Sequence, residues 1–299
     1  YVALFEVLVQ YVMNLMGRND DPLDLEGEII ADQYECISRY HQTNNRRAIG
    51  SFYYFRTILA YFFNDLNLAK SMSTMLYSPM HEGATPLLPV RYLFQGLIAF
   101  ALAKQSPGCM RTHVREGRLY LRRLNGMLKK NCANVFHLVL LLGAENLSLK
   151  SKTDPRTVQR AYDNAIQASG RLGVTHTQAM ANELAGDYFY RLDDRQWATT
   201  YFTRAWTLYS HWGAHAKASQ LQKNYADLLA DVSASKHLGP ETVIMARERF
   251  TDIKTSASST ASQTATTSSM AQSAGSKLLA EAAQALRDSH DFERHLVAI

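Results

Sequence analysis

Four arginines pose the first chemical question. Arg111, Arg115, Arg118 and Arg122 fall at i, i+4, i+7 and i+11, the spacing of a single stripe along one helix. Arg123, Lys129 and Lys130 extend the run, and Glu116 is the only acid between Gly108 and Lys130. An ordered row of guanidinium groups can clamp carboxylates or phosphates through paired N–H donors. Such a row could dock an acidic partner, a phosphorylated segment or RNA, and it equally suits a solvated outer face. RNA recognition wants aromatic rings interleaved for base stacking. Only Tyr120 stands close, which weighs against nucleic acid.

Other polar groups offer less. His211 and His215 lie four apart, a spacing that can bind zinc. Gly213 stands between them at an expected helix boundary, no Glu follows His211 and no third ligand is evident, so they read as surface or packing histidines. Asp20, Asp21, Asp24, Glu26, Glu28, Asp32 and Glu35 form an acidic cluster. Its spacing fits neither a calcium loop nor a catalytic carboxylate pair, and it reads as a solvated helix start in favourable register with the helix dipole. No GxxxxGK[ST] loop, HRD, DFG or GxSxG motif occurs, and Gly275-Ser276-Lys277 is too short to cradle a phosphate. We assign no catalytic residue, no cofactor and no metal.

The elements that must carry these residues read as helices. Gly (15) and Pro (7) are scarce among 299 residues and hydrophobic residues make up 46%, which suits long helices and a sizeable core. The expected class is therefore all-α. The net charge of +5 permits an acidic partner without requiring nucleic acid. Cys36, Cys109 and Cys132 are odd in number and have no CxxC spacing, which reads as ordinary buried thiols in a reducing, cytoplasmic compartment. No secretory signal peptide is visible. The chain begins at Tyr1 and not at Met, as a fragment of something longer would. Tyr1 to Met16 is apolar but interrupted by Glu6, Gln10 and Asn14, and it falls short of the ~20 residues of a membrane helix. A packed amphipathic helix is expected there, and no membrane span.

The middle of the chain shows a repeat. Asp154-Pro155 starts a helix that carries Ala161, Ala165 and Ala168 and ends at Gly170 and Gly173. A second helix is expected from Thr175 to Leu192. A third carries Ala198, Phe202 and Ala205 and stops near Gly213, and a fourth carries Ala216, Leu221, Tyr225 and Leu228. Aligning Ala161 with Ala198 gives an offset of 37 residues, within the range of two-helix repeats. Small residues let the second helix of a pair approach the first, and an aromatic fills the space one turn away. Upstream, helices are expected over Asn44–Asp65, Leu66–Tyr77, Arg91–Lys104, Gly108–Lys130 and Cys132–Lys150, with a loop over Ser78–Pro89. Downstream, Thr255 to Gly275 is almost wholly Ser, Thr, Ala and Gln, too polar to offset its ordering entropy, and reads as a flexible linker. Lys277 to Ile299 returns to a helical pattern.

Gly186, Phe189, Ala198, Phe202 and Ala205 stand at the small and aromatic positions of tetratricopeptide (TPR) repeats, which this region resembles. Asn182 replaces the early Trp of that pattern and Ser210 its terminal Pro. The stretches Leu25–Ile30, Asn131–Glu145, Glu183–Phe189, Tyr209–Lys217 and Ala283–Ile299 further resemble one family. This is the large multi-sensor signal transduction kinases, which combine a Ser/Thr-kinase-like domain, an AAA-type ATPase, a TPR-like region, a GAF domain and often a histidine kinase. Repeat pattern and composition together predict a TPR-like antiparallel hairpin solenoid over residues 1–250, a disordered linker over 251–276 and a helix over 277–299, which the resemblance implies leads into a GAF-like domain. It implies a non-catalytic scaffold whose partners are the flanking kinase, ATPase and GAF-like domains or a signalling protein. Within it, Ser289-His290-Asp291-Phe292 resembles the start of a phosphoacceptor box, in which an exposed His accepts a phosphoryl group. Glu293, Arg294 and His295 depart from that box, and a polar turn of an amphipathic helix is the plainer reading.

Overall fold

The computed structural model describes residues 2–76 and 87–234. The described residues hold twelve α-helices and no strand. In chain order these are α1 (Val2–Met16), α2 (Gln33–Gln42), α3 (Arg46–Phe62), α4 (Leu66–Met75), α5 (Leu88–Gln105) and α6 (Met110–Lys129). There follow α7 (Phe136–Ser148), α8 (Pro155–Arg171), α9 (Thr175–Arg191), α10 (Arg195–Trp212), α11 (His215–Asn224) and α12 (Ala226–Ala234). The all-α class thus holds. The expected linker and C-terminal helix, and most of the expected Ser78–Pro89 loop, lie outside the described residues.

The described residues fall into two units, one up to Lys223 and one from Asn224 onward. Within the second, α12 starts where the N–H groups of Leu228 and Leu229 both turn to the Tyr225 carbonyl. The single helix expected from Ala216 through Leu228 is therefore two, broken at Tyr225.

Most helices of the first unit end in the same way. Asn44, Asn64, Asn131, Gly173, Asp193 and Gly213 all take positive φ, between 49° and 91°. In each case the next N–H reaches back over the turn, as Val174 does to Ser169 (3.0 Å), Asp194 to Phe189 (3.0 Å) and Ala214 to Tyr209 (3.0 Å). This closure satisfies carbonyls that the helix end leaves open, and it favours Gly or Asn at the left-handed residue. The following residue then caps the next helix: Asn45, Asp65 and Asp194 accept from the N–H groups of Ala48, Leu68 and Trp197. One residue type thus ends a helix and its neighbour begins another, which reverses the chain in a few residues.

These turns correct the repeat length. Gly173 and Gly213 close α8 and α10, and they stand 40 residues apart, with Asp193 midway. At that offset Val158, Tyr162, Ala165 and Ser169 match Ala198, Phe202, Ala205 and Tyr209, and all eight are at most 1% exposed. The 37-residue alignment is one helical turn out of register: Ala161 and Ala168 are only half-buried. Three residues rotate the helix by about 300°, so a slip of three lands near the same face and small residues still match.

Gly186 on α9 shows how close the pairs come. A Cβ there would stand 2.6 Å from Phe202 Cδ1 on α10. Phe189 stacks on Tyr201 at 5.7 Å between ring centroids, and the Tyr201 hydroxyl donates to Asp163 Oδ1 of α8 (2.8 Å). Helices α8, α9 and α10 therefore share one interior.

Packing also joins helices far apart in sequence. Phe62, at the end of α3, meets Tyr209 and Trp212 of α10 at 6.1 and 6.4 Å. Lys217 of α11 donates to the Phe62 carbonyl (2.6 Å), and Gly17, after α1, abuts Ala216. An open array in which each hairpin touches only its neighbours lacks such contacts. The first unit instead closes on itself.

Candidate functional site

The arginine stripe lies on α6. That helix is strongly two-faced: Gly117, Tyr120 and Leu124 are buried, and Gly117 rides directly on the Phe100 ring of α5. The buried face fixes the rotation of α6, and rotation places the arginines outward. Arg111, Arg115, Arg118, Arg122 and Arg123 are all exposed.

Four of the five line one groove. Arg111, Arg115, Arg118 and Arg122 border a space of about 410 Å³, together with Lys150 from the turn after α7. Its apolar lining comes from Met110, Val114 and Leu149. Arg118 is held across the groove, since its Nε donates to Asn146 Oδ1 of α7 (2.9 Å). Arg123 leaves the set: its guanidinium lies over the Tyr92 and Tyr120 rings at 5.2 and 5.5 Å. Glu116 is also turned away, ion-paired with Lys70 of α4.

The charge is concentrated to an unusual degree. Helix α6 carries six cations (Arg111, Arg115, Arg118, Arg122, Arg123, Lys129) against Glu116 alone, a formal +5. The whole chain is also +5, so all other residues together cancel. No family model, curated protein or solved structure matches the chain. The groove must therefore be read from its own chemistry.

The interior uses its charges differently. Glu145 of α7 is 1% exposed, accepting from Lys104 of α5 (2.8 Å) and from the Tyr162 hydroxyl of α8. Lys104 also lies 3.7 Å from Asp187 of α9. One turn away, Glu183 of α9 accepts from Lys217 (2.6 Å) and from the Tyr209 hydroxyl (2.7 Å). Burial, reinforced by these carboxylates, drives the Tyr162 and Tyr209 phenols well above their usual range, so both remain donors. Lys104, Glu145, Glu183 and Lys217 thus each have a partner on another helix, and the network stitches α5, α7, α8, α9, α10 and α11 together.

A second polar clamp was not foreseen from the sequence. Gln10 and Asn14 interrupt the apolar face of α1, yet both are fully buried. Gln10 donates to the Glu26 carbonyl (2.7 Å) and accepts from the Ile29 and Ile30 N–H groups (3.1 and 3.2 Å). Asn14 donates to the Pro22 and Asp24 carbonyls. The two side chains replace a missing secondary structure for the loop between α1 and α2. The acidic cluster lies on this loop apart from Glu35 in the first turn of α2, and Asp32 caps α2 by accepting from Tyr34 and Glu35 N–H.

The remaining candidates separate. His211 ends α10 and His215 begins α11 across the left-handed Gly213, so they share no helix face. Cys36 is buried, Cys132 half-buried and Cys109 exposed, which corrects the expectation of three buried thiols. Among the described residues no group of three or more His, Cys, Asp or Glu could hold a metal ion, and no helix is long and apolar enough to cross a membrane. Gly186, Phe189, Ala198, Phe202 and Ala205 are buried in the α9–α10 hairpin. Ser289 to His295, with His290, lie outside the described residues.

Proposed function

We propose that this chain is a non-catalytic, TPR-like helical scaffold that holds protein partners or neighbouring domains. The observation that carries the reading is the division of charge. The buried cations Lys104 and Lys217 are matched by carboxylates on other helices, whereas α6 alone carries a formal +5 with its arginines exposed. Interior pairs hold the helices in place, and the arginine row faces outward, where a partner can reach it. The sequence resemblance supplies the context: a spacer in a multi-sensor signalling kinase, contacting its kinase-like, ATPase or GAF-like parts in the cytoplasm.

The test is crosslinking of the purified chain with each of those parts, prepared separately. Association with at least one, lost when Arg115 and Arg122 are reversed in charge, is the expected result. Failure to associate with any of them removes the signalling context.

The stripe also favours a second reading, a nucleic-acid-binding helical array. Its signature is RNA binding that falls steeply with salt, since each phosphate contact releases counterions. Absence of binding to generic RNA at low salt eliminates it.

A further inference from the structure

We propose that the groove between α6 and the end of α7 takes an acidic amphipathic helix, with carboxylates on its rim and an apolar residue on its floor. The inference rests on the scaffold reading and names the chemistry of the partner.

Three features of the groove select this ligand. First, the arginines recur at helical spacing, so Arg111 to Arg122 cover about 16 Å along α6. A helix lying along α6 with acids at the same spacing meets each guanidinium in turn, whereas an isolated phosphate meets one or two. Second, the floor is apolar. Met110, Val114 and Leu149 offer contact to an aliphatic side chain and nothing to a sugar–phosphate backbone. Third, the groove presents no aromatic platform. No aromatic residue lines it, and on α6 itself Tyr120 is 2% exposed with Arg123 lying over its ring. Single-stranded nucleic acid depends on such platforms for base stacking.

The groove is also prepared for binding. The hydrogen bond from Arg118 to Asn146 holds one guanidinium above the floor before any ligand arrives, which lowers the ordering cost of association. Arg111, Arg115 and Arg122 form no ion pair among the described residues, so an incoming carboxylate breaks none. Helix-in-groove docking reads apolar anchors and flanking charges on one face of the ligand.

The experiment uses the full chain and three fluorescein-labelled probes. The first is a 14-residue peptide with Glu at i, i+4, i+7 and i+11 and a Leu between them on the same face. The second has the same composition in scrambled order, and the third is a 14-mer of oligouridylate. Anisotropy is read at 50 and 200 mM salt.

The expected result is that the patterned peptide binds at least tenfold more tightly than the scrambled one. Arg115→Glu/Arg122→Glu, which alters only exposed residues, should weaken it roughly 30-fold. Circular dichroism of that variant should match the parent, which separates lost binding from lost folding. Equal binding of patterned and scrambled peptides overturns the helical ligand while leaving an acidic-partner scaffold in place. Tighter binding of oligouridylate than of either peptide overturns both. Binding untouched by the double reversal places the site elsewhere on the molecule and overturns the groove.

Discussion

Replacing Lys217 with methionine should loosen the closure of the first unit. The Lys217 ammonium lies 2.6 Å from Glu183 Oε1, 2.6 Å from the Phe62 carbonyl and 2.9 Å from Gln220 Oε1, and the residue is 4% exposed. Methionine preserves most of the stem's packing, so the loss is electrostatic. Phe62 loses a donor at the C-terminus of α3, and Glu183 loses its cationic partner while the Tyr209 hydroxyl stays bound. Removing one member of a fully buried pair costs about 3–5 kcal/mol. The Glu183 side chain is 21% exposed, so water reaches it and the expectation falls to about 2–3 kcal/mol. For a unit of this size that corresponds to roughly 5–10 °C in Tm. The assay is urea unfolding followed by far-UV circular dichroism, on Lys217→Met, Glu183→Gln and the double variant. The double variant should cost less than the two singles together, by at least about 1 kcal/mol, because both remove one interaction. A single variant within about 0.5 kcal/mol of the parent, or an additive double, would refute the reasoning. Apolar contacts of Ala218 and Leu221 would then hold α11 in place.

Three further outcomes follow from burial. Gly186→Ala should cost about 1–3 kcal/mol in the same unfolding assay, because the new Cβ meets the fully buried Phe202 ring. Burial, and to a lesser extent His137, lowers the pKa of His176 to about 4, beside the Trp212 ring. The unfolded chain therefore binds more protons than the folded one below about pH 6.5, and stability should decline from there to about pH 4 by up to about 3 kcal/mol. His176→Gln should flatten that decline, and an unchanged pH profile would contradict the burial of the imidazole. Maleimide should modify the exposed Cys109 first and Cys36 last, since Cys36 is buried and burial raises its thiol pKa. Mass spectrometry of the labelled peptides gives the order.

The helices were legible wherever the chain announces its own punctuation. Asp154-Pro155, Gly173 and Gly213 bound α8 and α10 where the residue types say they should. The repeat length was read less well, because alanines are common on helices and a three-residue slip nearly restores the same face. The turn residues carry the true period, and only the left-handed φ of Asp193 shows that Gly173 and Gly213 belong to one series. Gln10 and Asn14 looked like flaws in an apolar segment. Their partners are main-chain groups of the following loop, and no side-chain pattern signals a carbonyl that needs a donor. At the groove, the four arginines could be read from spacing alone. The part played by Met110, Asn146, Leu149 and Lys150 could not, because it depends on which flank of α6 meets the end of α7.

The stripe works against the helix that carries it. Like charges at i, i+3 and i+4 destabilise a helix by about 0.2–0.5 kcal/mol per pair. Arg111–Arg115, Arg115–Arg118 and Arg118–Arg122 are three such pairs, and α6 also holds Gly117 and Gly126. Reversing the middle charge separates a structural role from a binding one. In Arg115→Glu, two repulsive pairs become attractive, so the free chain should gain roughly 0.5–1 kcal/mol against urea. The same substitution should weaken binding of the patterned acidic peptide. A residue kept for folding would lose on the first measurement. A residue kept for a ligand gains on the first and loses on the second, and that opposition is the outcome expected of Arg115. Destabilisation of the free chain would show that the arginine row is held in place by the fold's own needs.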